Sequence, residues 1–471
     1  MEKLLGPRYL ASGITSSATA FSLVVGLPVL CVALFGGVDA ATWILILAAV
    51  AALGIVMLLN ADLRDRLFAA DRGSIYPLLG LACIAVIQLL PIGGSPPGSE
   101  LIGVTAGASL SMDPNATRLF LVRLVAYLIF FSAASVLIDS ASRLRIVVVS
   151  IIAAGCVTAI FGTMQRLGEP TGIYGIRLTP QAIPFATFIN QHHFAAFMEM
   201  SVGLGVAMAI SGAVSLEKRI AAAAASVVMI VAALMTGSRG GLLGMAVTIP
   251  ACFLMQRMKR EEQQQERSLY PRSVRIVGAA AVAAAVLAVI VGVVIYLGGD
   301  DSLQRYVSAG SADGDVTSGR SHFWSIAVRM FLDHPILGVG FDAFGVAFTG
   351  YDTWPGLFRV EQAHNDYLQA AAEGGIPAAL CLVWFIYSLS KRGFDRLLNS
   401  GGGFRHSAVA GGLAGCLGIL VHSFVDFPLR TPSNAFYFLL IAAVATVNVA
   451  SSPEPGISER SRRSRSSRRA D

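Results

Sequence analysis

Two short motifs place arginine side chains where an anion could bind. The first is TGSRGG at residues 236–241, which sets Arg239 between two apolar runs; the second is GRSHFW at residues 319–324, with Arg320 in the first turn of a predicted helix. Guanidinium groups keep their charge in surroundings of low polarity and grip phosphate or carboxylate through paired hydrogen bonds. The two arginines therefore predict an anion site, although a tight turn with a snorkelling arginine is the alternative interpretation of the first motif.

A third motif, AHNDYL at residues 363–368, offers a group for proton transfer. An imidazole can accept a proton from a hydroxyl group near neutral pH, which makes His364 a candidate general base. Asp366 or Glu361 could orient its ring, and Asp366 and Tyr367 are predicted to bind the substrate. A lone histidine is more often structural, but the company of arginines on the same predicted face favours the catalytic interpretation. Further along, GGIP at residues 374–377 predicts the end of this helix and the start of a membrane span.

A fourth polar segment, FINQHHF at residues 188–194, begins another apolar run. Adjacent histidines point about 100° apart on a helix, so they are poor ligands for a single metal ion. No carboxylates with chelating spacing accompany them, and no metal site is predicted. We expect a polar substrate groove instead, lined by Asn190, His192 and His193 with Arg166 and Arg177 just upstream.

Membrane helices must position these motifs, because the chain is too apolar for a soluble protein. Of its 471 residues, 55% are hydrophobic and 14% are charged, against about 45–50% and about 25% in soluble domains. Mean hydropathy is +0.67. With 35 basic and 29 acidic residues, the net charge of +6 also excludes an acidic scaffold. These values predict a polytopic membrane protein.

The apolar runs predict an all-α fold, a bundle of about twelve transmembrane helices. Each run approaches the roughly 20 residues that a helix needs to cross the hydrocarbon core. The predicted spans lie near residues 14–35, 41–60, 75–92, 119–138, 145–164, 192–212, 220–236, 240–256, 276–298, 376–390, 405–423 and 434–450.

The distribution of Lys and Arg predicts that both termini lie inside. With this orientation, 25 of the 35 basic residues, including all four lysines, fall in inner segments, as the positive-inside rule requires. The other ten are arginines on the outer side or in outer-facing membrane positions. Phosphate binding by the outer face would explain this bias, and so would an arginine-rich composition throughout the chain.

The same topology divides the chain into five segments and predicts one large outer loop with short helices of its own. The Ser/Arg-rich tail is expected to be disordered and to contact anionic lipid rather than nucleic acid. The predicted segments are N-terminal membrane helices at 1–218, a membrane core with the first arginine motif at 219–298, a periplasmic catalytic loop at 299–376, C-terminal membrane helices at 377–450 and the cytoplasmic tail at 451–471.

Taken together, TGSRGG, GRSHFW with DHPILGVGFDAFG, and AHNDYLQAAAEGGIP resemble the O-antigen ligase family, which includes Wzy-type polysaccharide polymerases. The resemblance covers about residues 220–390 and rests on the order, spacing and shared side of the motifs. It implies a glycosyltransferase of the bacterial inner membrane that moves a glycan from undecaprenyl diphosphate to an acceptor hydroxyl on the outer side. It also implies that Arg239, Arg320 and His364 match the family's essential Arg, Arg and His.

The chemistry of these residues fits that reaction without a cofactor. Two fixed guanidinium groups can stabilise the charge of a departing diphosphate without a metal ion. His364 would act as base on the acceptor hydroxyl or orient it, and in-line attack on the anomeric carbon predicts inversion. The acceptor stays open: lipid A core for a ligase, another lipid-linked glycan for a polymerase, or protein in a related branch.

A flippase for lipid-linked saccharides is the competing interpretation, and a non-catalytic partner of a glycan-export complex is a third. Twelve spans and an arginine-lined cavity would suit a transporter. Transporters, however, commonly contain internal repeats and broken helices near the bilayer midplane. The chain shows no internal repeat and concentrates its polar motifs in one outer loop, which favours the transferase.

Overall fold

The computed structural model describes residues 7–70, 72–92, 109–168, 172–180, 182–258, 319–354, 359–400 and 402–448. Regular secondary structure in these ranges is helical and includes no β-strand, which confirms the all-α prediction for the described part. The predicted span at 276–298 and the predicted tail at 451–471 lie outside the described residues.

Fourteen α-helices, numbered here in chain order, occur in the described ranges, together with 3-10 turns at Phe35–Gly37 and Pro428–Arg430. They are α1 (Pro7–Ala33), α2 (Ala40–Leu59), α3 (Ala61–Ala69), α4 (Tyr76–Gln88), α5 (Pro114–Leu137), α6 (Ala141–Leu167), α7 (Gln191–Ala209), α8 (Leu216–Met235), α9 (Arg239–Arg257), α10 (Arg320–Asp333), α11 (Phe344–Tyr351), α12 (Asp366–Asn399), α13 (Gly403–His422) and α14 (Pro432–Thr446).

Seven of the described helices are long and apolar enough to cross a membrane: α1, α2, α5, α6, α8, α12 and α13. Each of the other four predicted spans in the described part coincides with a helix that falls short of this standard. Helices α4 and α14 are short, and α7 and α9 are less apolar because polar and small residues interrupt them. The structure therefore supports a multi-pass membrane protein, while the predicted total of twelve spans exceeds what it establishes.

The centre of the bundle is α7, which packs against α8, α9 and α13. Every residue of α7 from Phe194 to Met208 is buried. Glycines permit the close approach of its neighbours: a Cβ on Gly203 would meet the backbone of Gly411 and Gly415 on α13. Small residues at such interfaces let helix backbones pack closely in membrane proteins.

The loops that carry the polar motifs meet at one end of the bundle. Gly36, between α1 and α2, lies against Phe188 and Thr431, and Gly240, at the start of α9, lies against His422. The loop at 210–215 and the start of α13 lie at the other end, where Ser211 and Ser407 are hydrogen-bonded at 2.8 Å. The assignment of the motif-bearing end to the outer side stays a prediction from the charge distribution.

Helix α12 changes direction at Gly375, as the GGIP sequence predicts. Gly375 has φ +66, outside the helical range, and a Cβ there would collide with the carbonyl oxygen of Pro335. The amide of Ile376 donates to that same oxygen at 2.8 Å. The break therefore ties α12 to the loop that follows α10.

Candidate functional site

The carboxylate of Asp426 is the centre of the polar cluster at this end. Asp426 lies between α13 and α14, and only 3% of its side chain is exposed. Its Oδ1 atom lies 3.1 Å from Nδ1 of His364. Its Oδ2 atom lies 3.7 Å from Nη2 of Arg320 and 4.0 Å from Nε2 of His422. One carboxylate thus joins residues from three separate parts of the chain.

The segment that carries His364 is fixed to the segment that carries Asp426. Asn365 caps α12, accepting hydrogen bonds from two amides of the first turn, and its own amide group donates to the carbonyl of Phe424 at 2.9 Å. The backbone N–H of Asp366 donates to the carbonyl of Ser423. His364 itself has φ +53, a left-handed conformation that is uncommon outside glycine. These contacts hold the imidazole against Asp426.

Asp426 remains ionised, and this fixes the hydrogen-bonding role of His364. Burial by itself raises the pKa of Asp426, but the hydrogen bond from His364 and the positive charge of nearby histidines lower that pKa well below 3.8. An ionised carboxylate can only accept hydrogen bonds. Nδ1 of His364 must therefore donate to Asp426, and in the neutral imidazole the lone pair then lies on Nε2.

Arg320 and His364 form the accessible side of the cluster. Arg320 is the first residue of α10, as predicted, and follows Gly319 with φ +84. The side chains of Arg320 and His364 are 23% and 30% exposed. Both can therefore reach a bound substrate while they contact the buried carboxylate.

A second pair closes the cluster from the interior of the bundle. Nδ1 of His422 lies 3.2 Å from Oε1 of Glu199, and neither side chain has any exposed surface. The start of α9 packs on this pair through two glycines. A Cβ on Gly240 would strike the His422 ring, and a Cβ on Gly244 would strike the Glu199 carboxylate. Arg239, the first residue of α9, is thereby set beside the cluster.

The two predicted histidines of α7 lie near the same site. Nδ1 of His193 lies 2.6 Å from Oγ1 of Thr431. The ring of Phe427 stands edge-on to both His193 and His364, at 4.9 and 4.7 Å between centroids. His192 is half-buried in the first turn of α7. Asn190 serves as the cap of that helix and accepts from the amide of His192 at 2.8 Å.

The predicted orienting partners of His364 were wrong. Glu361 pairs instead with Arg359 at 2.6 Å on the surface, and the Asp366 carboxylate accepts from the hydroxyl of Ser423 at 3.0 Å. Asp426 takes their place because the turn after α13 lies directly against the start of α12. Tyr367 also faces the framework, since its hydroxyl donates to the carbonyl of Leu420 at 2.6 Å.

Arg177, one of the two arginines predicted to line the groove, is paired with the connection between the first two helices. Arg177 forms an ion pair with Asp39 in the α1–α2 connection, and its guanidinium lies over the ring of Phe35 at 5.2 Å. Arg166 is half-buried in the last turn of α6. The structure thus ties Arg177 to the first helices rather than to the His364 cluster, and a groove lined by both arginines stays a prediction.

Sequence analysis also missed a neighbouring ionic network around Arg430. Its Nη1 atom lies 2.5 Å from Asp342 and its Nη2 atom 2.7 Å from Glu373. Asp342 in turn pairs with Arg123 of α5 at 2.9 Å. This network joins the turn that contains Asp426 to α5, α12 and the loop after α10. The sequence did contain a signal for these functional residues, because the short loop 423–431 holds two ionisable residues, Asp426 and Arg430.

The described residues contain no group of three or more His, Cys, Asp or Glu side chains placed to hold one metal ion. The guanidinium group of Arg320 can bind an anion at the accessible side of the cluster, and it lies beside the His364 imidazole, which can accept a proton.

Comparison with known proteins agrees with the motifs. No curated protein matches the chain at a significant level. A family model described as O-antigen ligase matches residues 224–383, about a third of the chain. The matched segment contains Arg239, Arg320 and His364, whereas Asp426 and Arg430 follow it. The predicted resemblance is thus confirmed, and residues 224–383 of this chain carry an O-antigen ligase family domain.

Proposed function

We propose that this protein is an inverting glycosyltransferase that moves a glycan from an undecaprenyl diphosphate carrier to an acceptor hydroxyl. The observation that carries the proposal is the single carboxylate of Asp426, which contacts both His364 and Arg320. These contacts support a site in which His364 accepts a proton and Arg320 binds an anion, both at the accessible side of the cluster. The acceptor is a lipid A core or another glycan.

Arg320 and Arg239 would bind the diphosphate of the donor. Breaking the bond between the anomeric carbon and the diphosphate oxygen leaves negative charge on the leaving group. A guanidinium group that is already held in place stabilises this charge without reorganising during the reaction. The ion pair with Asp426 supplies this preorganisation for Arg320.

His364 would accept the proton of the attacking hydroxyl. Its Nδ1–H donates to Asp426, so Nε2 faces the acceptor with a free lone pair. The acceptor oxygen bonds to the anomeric carbon as the diphosphate departs from the opposite face, which inverts the configuration. The diphosphate is a good leaving group, so this scheme requires neither a nucleotide nor another cofactor.

The reaction would take place on the outer side of the bacterial inner membrane. The concentration of lysines in predicted inner segments supports this orientation. The convergence of the polar motifs at a single end of the bundle supports a site that opens to one aqueous side.

The test is the lipid-linked glycan pool of cells that carry wild type or His364→Ala at matched membrane levels. His334→Ala is the control, because His334 lies at the far end of α10 from Arg320. Build-up of undecaprenyl-linked glycan on the outer face, in His364→Ala only, is expected. Long chains would indicate a lost ligase, and single repeat units a lost polymerase. An unchanged pool with normal surface glycan would overturn the proposal, and build-up on the inner face would favour a flippase.

A further inference from the structure

An exposed tryptophan lies flat on a histidine close to the cluster. The indole of Trp354, just after α11, stacks on the imidazole of His322 with 4.1 Å between centroids and 3° between planes. His322 is two residues beyond Arg320. Sequence analysis did not single out Trp354, because nothing local marks it as a partner of the GRSHFW motif.

One carboxylate locks this stack in place. Oδ1 of Asp352 lies 2.8 Å from Nε2 of His322 and accepts from the backbone N–H of Trp354 at 3.0 Å. Gly319 leaves room for the indole, since a Cβ there would come within 3.3 Å of it. The ring of Phe323 stands edge-on at 6.1 Å. The indole is therefore held rigidly before any ligand arrives, and binding would cost it little conformational entropy.

Trp354 nevertheless remains 49% exposed, whereas the aromatic residues Phe344 and Phe348 of α11 are buried. Burial of apolar surface contributes about 25 cal/mol of favourable free energy for each Å², and the exposed part of the ring lacks this contribution. A rigid, half-exposed indole is a surface suited to a flat ligand with an apolar face.

The position of Trp354 relates it to the candidate reaction centre. The ring of Phe323 lies 6.1 Å from the indole of Trp354 and 6.1 Å from the imidazole of His364. A ligand on Trp354 would therefore lie beside the reacting groups without occupying their place.

We propose that Trp354 is a stacking platform for a pyranose ring of the glycan substrate, an inference that rests on the proposed function. The C–H bonds on one face of a pyranose carry partial positive charge and suit the negative face of an aromatic ring. The Asp352 carboxylate and the exposed hydroxyl of Thr353 flank the indole and can bind sugar hydroxyls.

The surroundings of Trp354 distinguish it from a tryptophan that faces lipid. Trp384 is 46% exposed, a similar fraction, but it lies within the span of α12 and rests against Tyr76 at 6.4 Å. Trp354 is instead backed by a histidine paired with a carboxylate, in a loop at the polar end. Trp384 is therefore a matched control.

The kinetic test compares Trp354→Ala, Trp354→Phe and Trp384→Ala in the purified full-length protein. We expect Trp354→Ala to raise KM for the glycan about 10-fold or more with kcat changed much less. Trp354→Phe should fall between it and wild type, and Trp384→Ala should behave as wild type. Equal KM values for all variants would overturn the platform while the proposed function stands.

A binding test makes the two proposals separable. The protein with Trp43, Trp324 and Trp384 each replaced by Phe retains Trp354 as its one fluorophore of this type. The probe is the oligosaccharide released by mild acid from the cell's own lipid-linked glycan. A saturable change in Trp354 fluorescence supports the platform, even if wild type shows no transfer and the proposed function fails. No change with the probe would overturn the platform, and so would quenching by brominated lipid as strong as that of Trp384 in a second variant that keeps only that tryptophan.

Discussion

Nδ1 of His364 lies 3.1 Å from Oδ1 of Asp426, although 62 positions separate the two residues in the chain. The contact joins the segment before α12 to the turn after α13, and it lies between an accessible arginine and a fully buried Glu199–His422 pair. The geometry of the imidazole thus depends on the packing of α7, α9 and α13 as well as on the outer loop. The predictions below separate these contributions.

Replacement of Asp426 by Asn should abolish most glycan transfer. The amide keeps the size of the side chain but loses the charge that fixes the tautomer of His364 and balances Arg320. Loss of a positioned acid–base group typically costs about 100-fold or more in rate. Glu361→Gln is the control, since Glu361 pairs with Arg359 at the surface. Initial rates in membranes with matched protein amounts provide the measurement, and equal rates for both variants would refute the role of Asp426.

Arg320→Lys should weaken donor binding although it preserves the positive charge. Lysine lacks the planar fork that binds a phosphate through two hydrogen bonds while it contacts a carboxylate. The expected rise in KM for the lipid-linked donor is about 10- to 100-fold, the range for one lost hydrogen bond to a charged group. Arg329→Lys, on an exposed position of the same helix, should leave KM unchanged. If KM for the donor is unchanged in both variants, Arg320 acts only through its positive charge and not through the geometry of its guanidinium group.

Gly244→Ala should impair glycan transfer, although Gly244 does not contact the substrate in the proposed site. A methyl group at Gly244 would strike the carboxylate of Glu199 and displace the pair that it forms with His422. Overpacking of this kind typically costs about 1–3 kcal/mol of stability. Gly212→Ala is the matched control, because a Cβ there meets open space. The measurement is transfer per folded protein after detergent extraction, and full activity of Gly244→Ala would show that the buried pair has no influence on the site.

The sequence alone predicted the features that follow local rules. The start of α10 at Arg320 follows from Gly319 and the helical spacing after it, and the break in α12 follows from Gly375 and Pro377. Each depends on backbone preferences within a few residues. Membrane character followed from composition, which is likewise independent of tertiary structure.

The partners of the functional side chains could not be predicted in this way. Asp426 contacts His364 because two connections meet at the end of the bundle, and their meeting is a property of helix packing. Glu199 stands alone in an apolar run, so its partner His422 was unrecognisable from spacing. Conversely, Arg177 lies close in sequence to the motif at 188–194, but it pairs with Asp39 in the connection between α1 and α2.

Arg430→Met should destabilise the fold more than it affects the chemistry. Arg430, with 19% of its side chain exposed, lies between Asp342 and the fully buried Glu373, and its removal leaves the Glu373 carboxylate without its counter-ion, which typically costs up to about 3–5 kcal/mol. Arg123→Met removes a partly exposed partner of the same Asp342 and should cost below about 1 kcal/mol. Thermal unfolding midpoints in detergent measure the difference. The triple variant with Asp342→Asn and Glu373→Gln should recover part of the loss, and no recovery would argue against an electrostatic origin.

The ionised Asp426 carboxylate should stabilise the fold at ordinary pH, and this stabilisation should decrease only in strong acid. The pKa of Asp426 is lower in the folded protein than its ordinary value of 3.8, so its ionisation stabilises the fold above that pH, and the contribution is lost as the pH falls further. The advantage of wild type over Asp426→Asn in thermal unfolding should therefore be present at pH 5 and smaller at pH 3. Between pH 7 and 5 the advantage should stay constant, because both values lie above the ordinary pKa of an aspartate carboxyl group. A decrease between pH 7 and 5 would instead mean that the Asp426 carboxyl titrates in that range, and the fixed tautomer of His364 would then lose its basis.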